Sequence, residues 1–295
     1  MKPPRFQYGA PPTLHETLEL LGRYGPEAKV LAGGQSLMPL LNMRLATPAY
    51  LIDINRIAAL DYLAARDDYL AVGALARQRQ VERSTIVQQR HPLIIETIRH
   101  IGHTQIRNRG TIVGSIAHAD PAAELPALLT CLNGAVVAAS ARGQRLIKAE
   151  DFFQGYLTTT LEPDELLTEV RFPWLPLHAG RAFIEFARRS GDYALAGVVA
   201  AVIPGPDGRC LSAQISYLGI SGTPIRASTV EKLLSGTSLD DDVINVAAEA
   251  AMRLVDDEMN DIHATAEYRR ALTRELTKRV LKAAWRNCTH KDKGA

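Results

Sequence analysis

The feature that most constrains the 295-residue chain is a glycine pair set directly behind a short apolar run. Val30-Leu31-Ala32 reads as a buried strand that passes straight into Gly33-Gly34-Gln35-Ser36. A helix is expected after Ser36, with the Ser36 hydroxyl as its cap and Pro39 in its first turn. Such a join turns several backbone N–H groups toward one point at the positive end of a helix, where a pyrophosphate is favoured. Glycine allows the positive φ and the close approach that such a nest requires. By itself a Gly-Gly turn between strand and helix is structural at least as often as functional. The G-x-G-x-x-G spacing of the dinucleotide fingerprint is missing, and no phosphate-loop lysine follows.

A second segment has similar chemistry. Arg109-Gly110-Thr111-Ile112-Val113-Gly114-Ser115 reads as another glycine-containing loop rich in hydroxyls, and it continues with hardly any bulk to Glu124. The bland alternative is a tight turn before a helix capped by Asp120, with Pro121 at its first position. That alternative accounts for Asp120 and Pro121 but leaves the hydroxyls and glycines unexplained.

The remaining pattern gives an α+β chain. Thr13-Leu14-His15-Glu16 reads as a capping box before a helix that Gly25-Pro26 ends, and Tyr50 to Ile54 reads as a second strand. The first fifty-odd residues are therefore expected as α-β-loop-α-β. Strands are expected at 69–74 and 166–172, helices at 92–101 and 122–132, and a hairpin around Arg142-Gly143. Pro173, Pro176 and Gly180 mark a boundary. Beyond it come strands at 181–188, 196–203 and 210–220, then helices at 227–234, 240–254 and 264–285. The domains are expected as 1–175 and 180–286, with 287–295 as a flexible tail.

Charge and cysteine usage narrow the function. The formal net charge of +2 gives no field that selects nucleic acid. The runs Arg77-Gln78-Arg79 and Arg188-Arg189 read as solvated faces. No signal peptide and no membrane-spanning segment is visible, so a cytoplasmic location is expected. Cys131, Cys210 and Cys288 are far apart, which leaves no metal or iron–sulfur site in this chain and makes the first two buried thiols. His100, His103 and His118 read as structural, and Asp164-Glu165 and Asp240-Asp241-Asp242 as solvated turn and helix-start charges. No catalytic acid or nucleophile stands out.

Three segments in order resemble one family: Ala32-Gly33-Gly34-Gln35-Ser36-Leu37-Met38-Pro39, then residues 105–124 from Gln105-Ile106-Arg107 to Ala122-Ala123-Glu124, then Arg188-Arg189-Ser190-Gly191-Asp192-Tyr193-Ala194. The family is the FAD-binding medium subunit of the molybdenum hydroxylases, which includes the carbon monoxide and xanthine dehydrogenases. The resemblance implies a vanillyl-alcohol-oxidase-like (PCMH-type) FAD-binding domain in two subdomains, followed by a domain of antiparallel strands and three helices. It implies FAD held by Leu31, Ala32, Gly33, Gly34, Gln35, Ser36 and Leu37 and by Thr111, Ile112, Val113, Gly114 and Ser115. Ile101, Ala117, Asp120, Glu124, Leu167, Arg188 and Tyr193 are the further expected contacts, Tyr193 against the flavin ring.

Two residues depart from the family pattern. Val113 replaces a glycine, so its peptide is expected to be β-like or the loop locally altered. Gln35 stands where several relatives carry histidine, which favours non-covalent FAD. The resemblance also implies partners: a small subunit with 2Fe–2S clusters and a large molybdopterin subunit, assembled as a dimer of heterotrimers. Electrons would run from the clusters to FAD and on to NAD, quinone or oxygen. The scattered cysteines fit clusters on another chain. Two alternatives are a stand-alone flavin oxidase of the vanillyl-alcohol type, which would need a larger cap domain, and a non-catalytic nucleotide-binding protein, which would bind no flavin.

Overall fold

A three-stranded parallel sheet opens the chain in the computed structural model, which describes residues 2–288. Strand Tyr50–Asp53 lies at its centre between Gln7–Gly9 and Ala28–Leu31. The register pairs Leu31 with Asp53, so the strand that feeds the first glycine loop ends beside an acid. The expected α-β-loop-α-β order gains a leading strand. Gln7–Gly9 is short and mostly exposed, so it carries no apolar alternation by which it could be read. Helix Leu14–Tyr24 begins at Thr13, whose hydroxyl accepts the Glu16 N–H at 3.2 Å, as the capping box requires.

The second unit is a five-stranded antiparallel sheet. Its order is Leu63–Ala65, Tyr69–Gly73, Leu166–Pro173, Ala135–Ser140, Gly143–Lys148. The last two strands are the hairpin expected around Arg142-Gly143. Between Gly73 and Ala135 the chain makes six helices, of which Ile112–His118 packs on this sheet and Pro92–His100 and Glu124–Cys131 on the next one. Asp164-Glu165 is not a solvated pair. Glu165 is buried and takes Arg145 in two bonds, of 2.7 and 2.8 Å, because the hairpin brings that arginine over it.

The third unit is an antiparallel sheet of Gly180–Phe186, Ala196–Pro204, Cys210–Leu218 and Ile225–Arg226. Its strands use both faces. Phe183, Val199, Ala201 and Leu218 join the core of the preceding units. Ala182, Val198, Ala200, Val202, Ile215 and Tyr217 face a second core under helices Ser228–Leu234, Asp241–Met252 and Ala266–Cys288. This double burial is why Ala196 to Val202 is an unbroken apolar run rather than an alternating one. The last helix takes in Asn287 and Cys288, which the expected tail had included. Cys288 is buried and its Sγ accepts the Gly180 N–H at 3.1 Å, so the third thiol is also internal. Residues 289–295 of that tail lie outside the described residues.

Helix Glu124–Cys131 joins the units, and all eight of its residues are buried. Its C-terminal carbonyls of Thr130 and Cys131 accept Arg226 Nη1 from the third sheet, at 3.2 and 2.9 Å, a cation at the negative end of the helix. A second buried arginine ties the other end of the interface. Arg269 donates to the carbonyls of Leu195, Gly219 and Met259 and to the Asp261 carboxylate, and so fixes the chain just after Tyr193. Replacing Arg269 by Leu leaves these acceptors without their donor. The expected cost is about 3 kcal/mol, read as a lower urea midpoint with unchanged far-UV circular dichroism in buffer.

Candidate functional site

The first glycine segment folds as strand, turn and helix. Ala28–Leu31 ends, the chain turns through 32–36, and helix Leu37–Met43 follows. Gly34 has φ of +74°, a conformation an L side chain resists. Gly33 is needed for a different reason. A Cβ there would stand 2.7 Å from the Arg109 carbonyl and 2.9 Å from Gly110 Cα, so this glycine lets the two segments touch backbone to backbone. The N–H groups of Gly34, Gln35, Ser36 and Leu37 have no acceptor among the described residues, while Gln35 Nε2 returns to the Gly33 carbonyl at 3.2 Å. Ser36 does not cap the helix. Its backbone is already helical, with φ −95° and ψ −43°, and its side chain makes no capping bond. That hydroxyl faces Tyr193 instead.

The second segment is not a loop. Thr111 caps a helix, Ile112–His118, and its Oγ1 accepts the Gly114 N–H at 3.0 Å. Ile112, Val113 and Ile116 turn inward and are buried, while Gly114, Ser115 and Ala117 lie on the more open face. Val113 is therefore helical and packed, neither β-like nor a distortion. Helical spacing gives it φ below zero, which a β-branched residue tolerates, so the missing glycine does no harm. The bland alternative, a helix capped by Asp120, does not hold either. Ala119 turns the chain at φ +55°, Asp120 Oδ1 accepts the Ala122 N–H at 2.9 Å, and the next helix starts only at Glu124. Asp120 is thus a turn former, and Pro121 precedes the helix.

A clip of side chains holds the two segments together, and sequence reading passed over it. Asn55 Nδ2 donates to the Ala32 carbonyl at 3.0 Å. Arg77 donates one amino group to Asn55 Oδ1 and the other to the Arg109 carbonyl. Backbone bonds reinforce it: Gln78 N–H to the Gly110 carbonyl at 2.8 Å and Ile112 N–H to the Ala76 carbonyl at 3.2 Å. The Arg77-Gln78-Arg79 run is therefore not a solvated face; Gln78 is buried and Arg77 half-buried. Burial and the nearby Arg109 lower the Arg77 pKa. Asp53 completes the base of the clip. Burial works against its charge, but hydrogen bonds from Asn55 and from the Tyr8 hydroxyl at 2.7 Å hold its carboxyl below the usual range. Nothing in the sequence spacing signals this set, because its members come from four separate elements.

The 120–124 turn and the Tyr193 loop come close to each other, with Ser36, Asp120 and Glu124 all acting on the Tyr193 hydroxyl. More than half of Tyr193 is accessible, yet its hydroxyl end is shielded. Burial, with Asp120 and Glu124 close by, pushes its pKa up to about 12. Glu124 is buried at the start of its helix, and that burial, followed by repulsion from Glu185, pushes its pKa up to about 8. The half-buried Ile101 has its carbonyl held by Arg107 Nη1 at 2.9 Å. Leu167 is buried in the central strand of the five-stranded sheet, at a bulge in its pairing with Ala135–Ser140. Arg188 is exposed and meets His263 at 3.2 Å, with no hydrogen bond or ion pair to the groups above. Burial lowers the His118 pKa, so the ring is neutral at pH 7.

Along the first segment lies an open cleft of about 430 Å³, whose lining includes Gly33, Gly34, Gln35, Asp53, Asn55 and Arg109. Free amides, a positive-φ glycine and a partner glycine with no room for a side chain fit a dinucleotide pyrophosphate. Fold and site together suit a nucleotide-cofactor-binding protein of two domains. Residues 4–175 match the FAD binding domain in molybdopterin dehydrogenase, and residues 181–284 match the CO dehydrogenase flavoprotein C-terminal domain. The chain belongs to the FAD-binding subunits of the molybdopterin dehydrogenases.

Among its relatives, the 6-hydroxypseudooxynicotine dehydrogenase complex subunit alpha of Paenarthrobacter nicotinovorans is 41% identical, over 96% of each chain. The carbon monoxide dehydrogenase medium chain of Hydrogenophaga pseudoflava is 36% identical, over 98% of this chain and 100% of that one. The solved carbon monoxide dehydrogenase from the same organism, in a form lacking the Mo-pyranopterin moiety of its cofactor, has a chain that aligns with a TM-score of 0.94. That alignment covers 98% of this chain and 100% of that one at 36% identity.

Arg77→Met removes both arms of the clip and keeps the aliphatic stem. FAD affinity is expected to fall about tenfold or more, the effect of losing one or two charge-assisted hydrogen bonds. Arg77→Lys should not restore it, because a single ammonium cannot span both acceptors. Fluorescence titration of the cofactor-free protein with FAD measures both.

Proposed function

We propose that this chain is the FAD-bearing electron-transfer subunit of a molybdenum hydroxylase, with residues 1–175 as its cofactor domain and 180–286 as the domain that closes over it. The observation that carries this reading is the contact of Gly33 with the backbone of Arg109 and Gly110 beside four unengaged amides. Two separated segments meet there with no side chain between them, as a split pyrophosphate site demands. Residues 31–37 would hold one side of FAD, with Thr111, Ile112, Val113, Gly114, Ser115 and Ala117 on the other. Asp120, Glu124 and Tyr193 form the far wall, while Ile101, Leu167 and Arg188 complete the assignment at its edges. Gln35 offers no nucleophilic ring nitrogen, so the cofactor is held without a covalent bond.

Bound FAD supplies the redox chemistry; the chain binds it, orients it and tunes it. Electrons would arrive from 2Fe–2S clusters on a small subunit, after oxidation of substrate at a molybdopterin centre on a large one. They would leave to NAD, quinone or oxygen. Relatives named as a complex subunit and as a medium chain support assembly with such partners, in our reading a cytoplasmic dimer of heterotrimers. Among the described residues no helix is long and apolar enough to cross a membrane, and no three metal-binding side chains gather. Substrate choice would then belong to the large subunit.

The purified chain incubated with FAD and desalted should carry a flavin spectrum, and acid should release the flavin intact. A colourless protein would overturn the proposal, and turnover of a substrate without partners would point to a stand-alone oxidase. Gly34→Val should abolish retention through its positive φ while the far-UV spectrum stays the same.

A further inference from the structure

Among the described residues, the lining of the cleft holds one cation, Arg109, and one acid, Asp53. The acid is already engaged. Its Oδ1 accepts the Asn55 N–H at 2.9 Å and Asn55 Nδ2 at 2.6 Å, and its Oδ2 accepts the Tyr8 hydroxyl at 2.7 Å. The Arg109 guanidinium, by contrast, has no hydrogen bond or ion pair among the described residues, although its planar fork suits paired oxygens. The backbone that carries it is held on both sides. Its carbonyl accepts Arg77, the Gly110 N–H returns to the Ile106 carbonyl at 2.7 Å, and the Gly110 carbonyl accepts the Gln78 N–H at 2.8 Å. A cation suits the carboxyl end of helix Thr104–Arg109, which accounts for the charge but not for its place in the cleft lining.

Gly34 and Gln35 line the same cleft, and their N–H groups, like those of Ser36 and Leu37, have no acceptor among the described residues. Gly33 lacks the Cβ that would stand 2.7 Å from the Arg109 carbonyl, so the backbone of the arginine comes up against this turn. Free donors therefore reach the cleft from two segments, neutral amides from one and a guanidinium from the other. Arg77, bonded to the Arg109 carbonyl, adds a second positive charge, and no free carboxylate in the lining offsets the pair. An anion is the missing partner. We propose that Arg109 is the charged arm of a diphosphate cradle, in which the amides of residues 34–37 take one phosphate and the guanidinium takes its neighbour. The cleft then prefers nucleoside diphosphate esters to nucleoside monophosphates, and Arg109 sets that preference. The proposal rests on the FAD reading above and locates recognition of the cofactor in its diphosphate bridge.

Binding of ADP-ribose and of AMP to the cofactor-free full chain, measured by titration calorimetry, tests the cradle. At neutral pH the diester bridge of one and the monoester of the other carry similar charge, so the comparison isolates the second phosphate. ADP-ribose should bind about tenfold or more tightly than AMP and should displace FAD. Arg109→Gln should weaken ADP-ribose and FAD about tenfold or more, the effect of a lost charge-assisted pair, and AMP by less than about threefold. Arg109→Lys should recover part of the loss, since a point charge remains without the fork. Because the side chain makes no bond among the described residues, both variants should keep the far-UV circular dichroism and urea midpoint of the parent. Equal affinity for ADP-ribose and AMP, or unaltered ADP-ribose affinity in Arg109→Gln, overturns the cradle even where FAD is retained. A chain that binds neither FAD nor ADP-ribose fails the functional reading instead.

Discussion

The structure depends on one buried helix. Glu124–Cys131 has no exposed face, so its polar ends must be satisfied by the units it separates. At its C-terminus Arg226 from the third sheet supplies the cation and the donors; at its N-terminus Glu124 is buried, with Glu185 and Asp120 acting on it. Cys131 adds a thiol that donates to carbonyls of both central strands of that sheet. The domains therefore share a core across this helix, and the sheet of Gly180–Phe186, Ala196–Pro204 and Cys210–Leu218 packs on both of its faces. Cleft geometry is a consequence: the position of Tyr193 relative to the glycine segments is set by how that sheet sits on the helix.

Most regular elements were legible because each carries a local signal. The Thr13 capping box, the apolar run at 196–203 and the Arg142-Gly143 hairpin are written in neighbouring residues. Readings failed where small residues hide the signal. Thr111 to His118 looked like a loop because glycine, serine and alanine dominate its open face, yet Ile112, Val113 and Ile116 at one face make it a helix. The concern over Val113 vanished with that change, since it arose only from assuming a glycine-type turn. The bland alternative made Asp120 a cap because Asp-Pro before an apolar run has that pattern, but an aspartate also makes turns onto the second following amide, as it does here.

The site was legible in its backbone parts and illegible in its side-chain clip. Gly33 and Gly34 announce themselves by sequence, although their separate reasons, close approach and positive φ, emerge only in three dimensions. Asn55 and Arg77 have no motif. Arg77 reads as one more surface cation until the Ala76 and Gln78 backbone is seen bonded to the second segment, which turns the guanidinium across the gap. Long-range pairing of this kind is invisible to spacing.

The proposed cofactor site, drawn from segments near 33, 55, 77, 111, 120 and 193, has no rigid element of its own. Its precision is borrowed from the contacts beneath it: Gly33 on Arg109, Arg77 on Asn55, and Arg269 on the carbonyl of Leu195. A ligand that bridges such walls binds the folded arrangement and not its separated parts, so binding stabilises the seam as much as the loops. Conversely, a substitution deep in the seam, far from any ligand atom, weakens binding by letting one wall drift. Cofactor affinity and interdomain packing in this chain are for that reason one property observed from two sides.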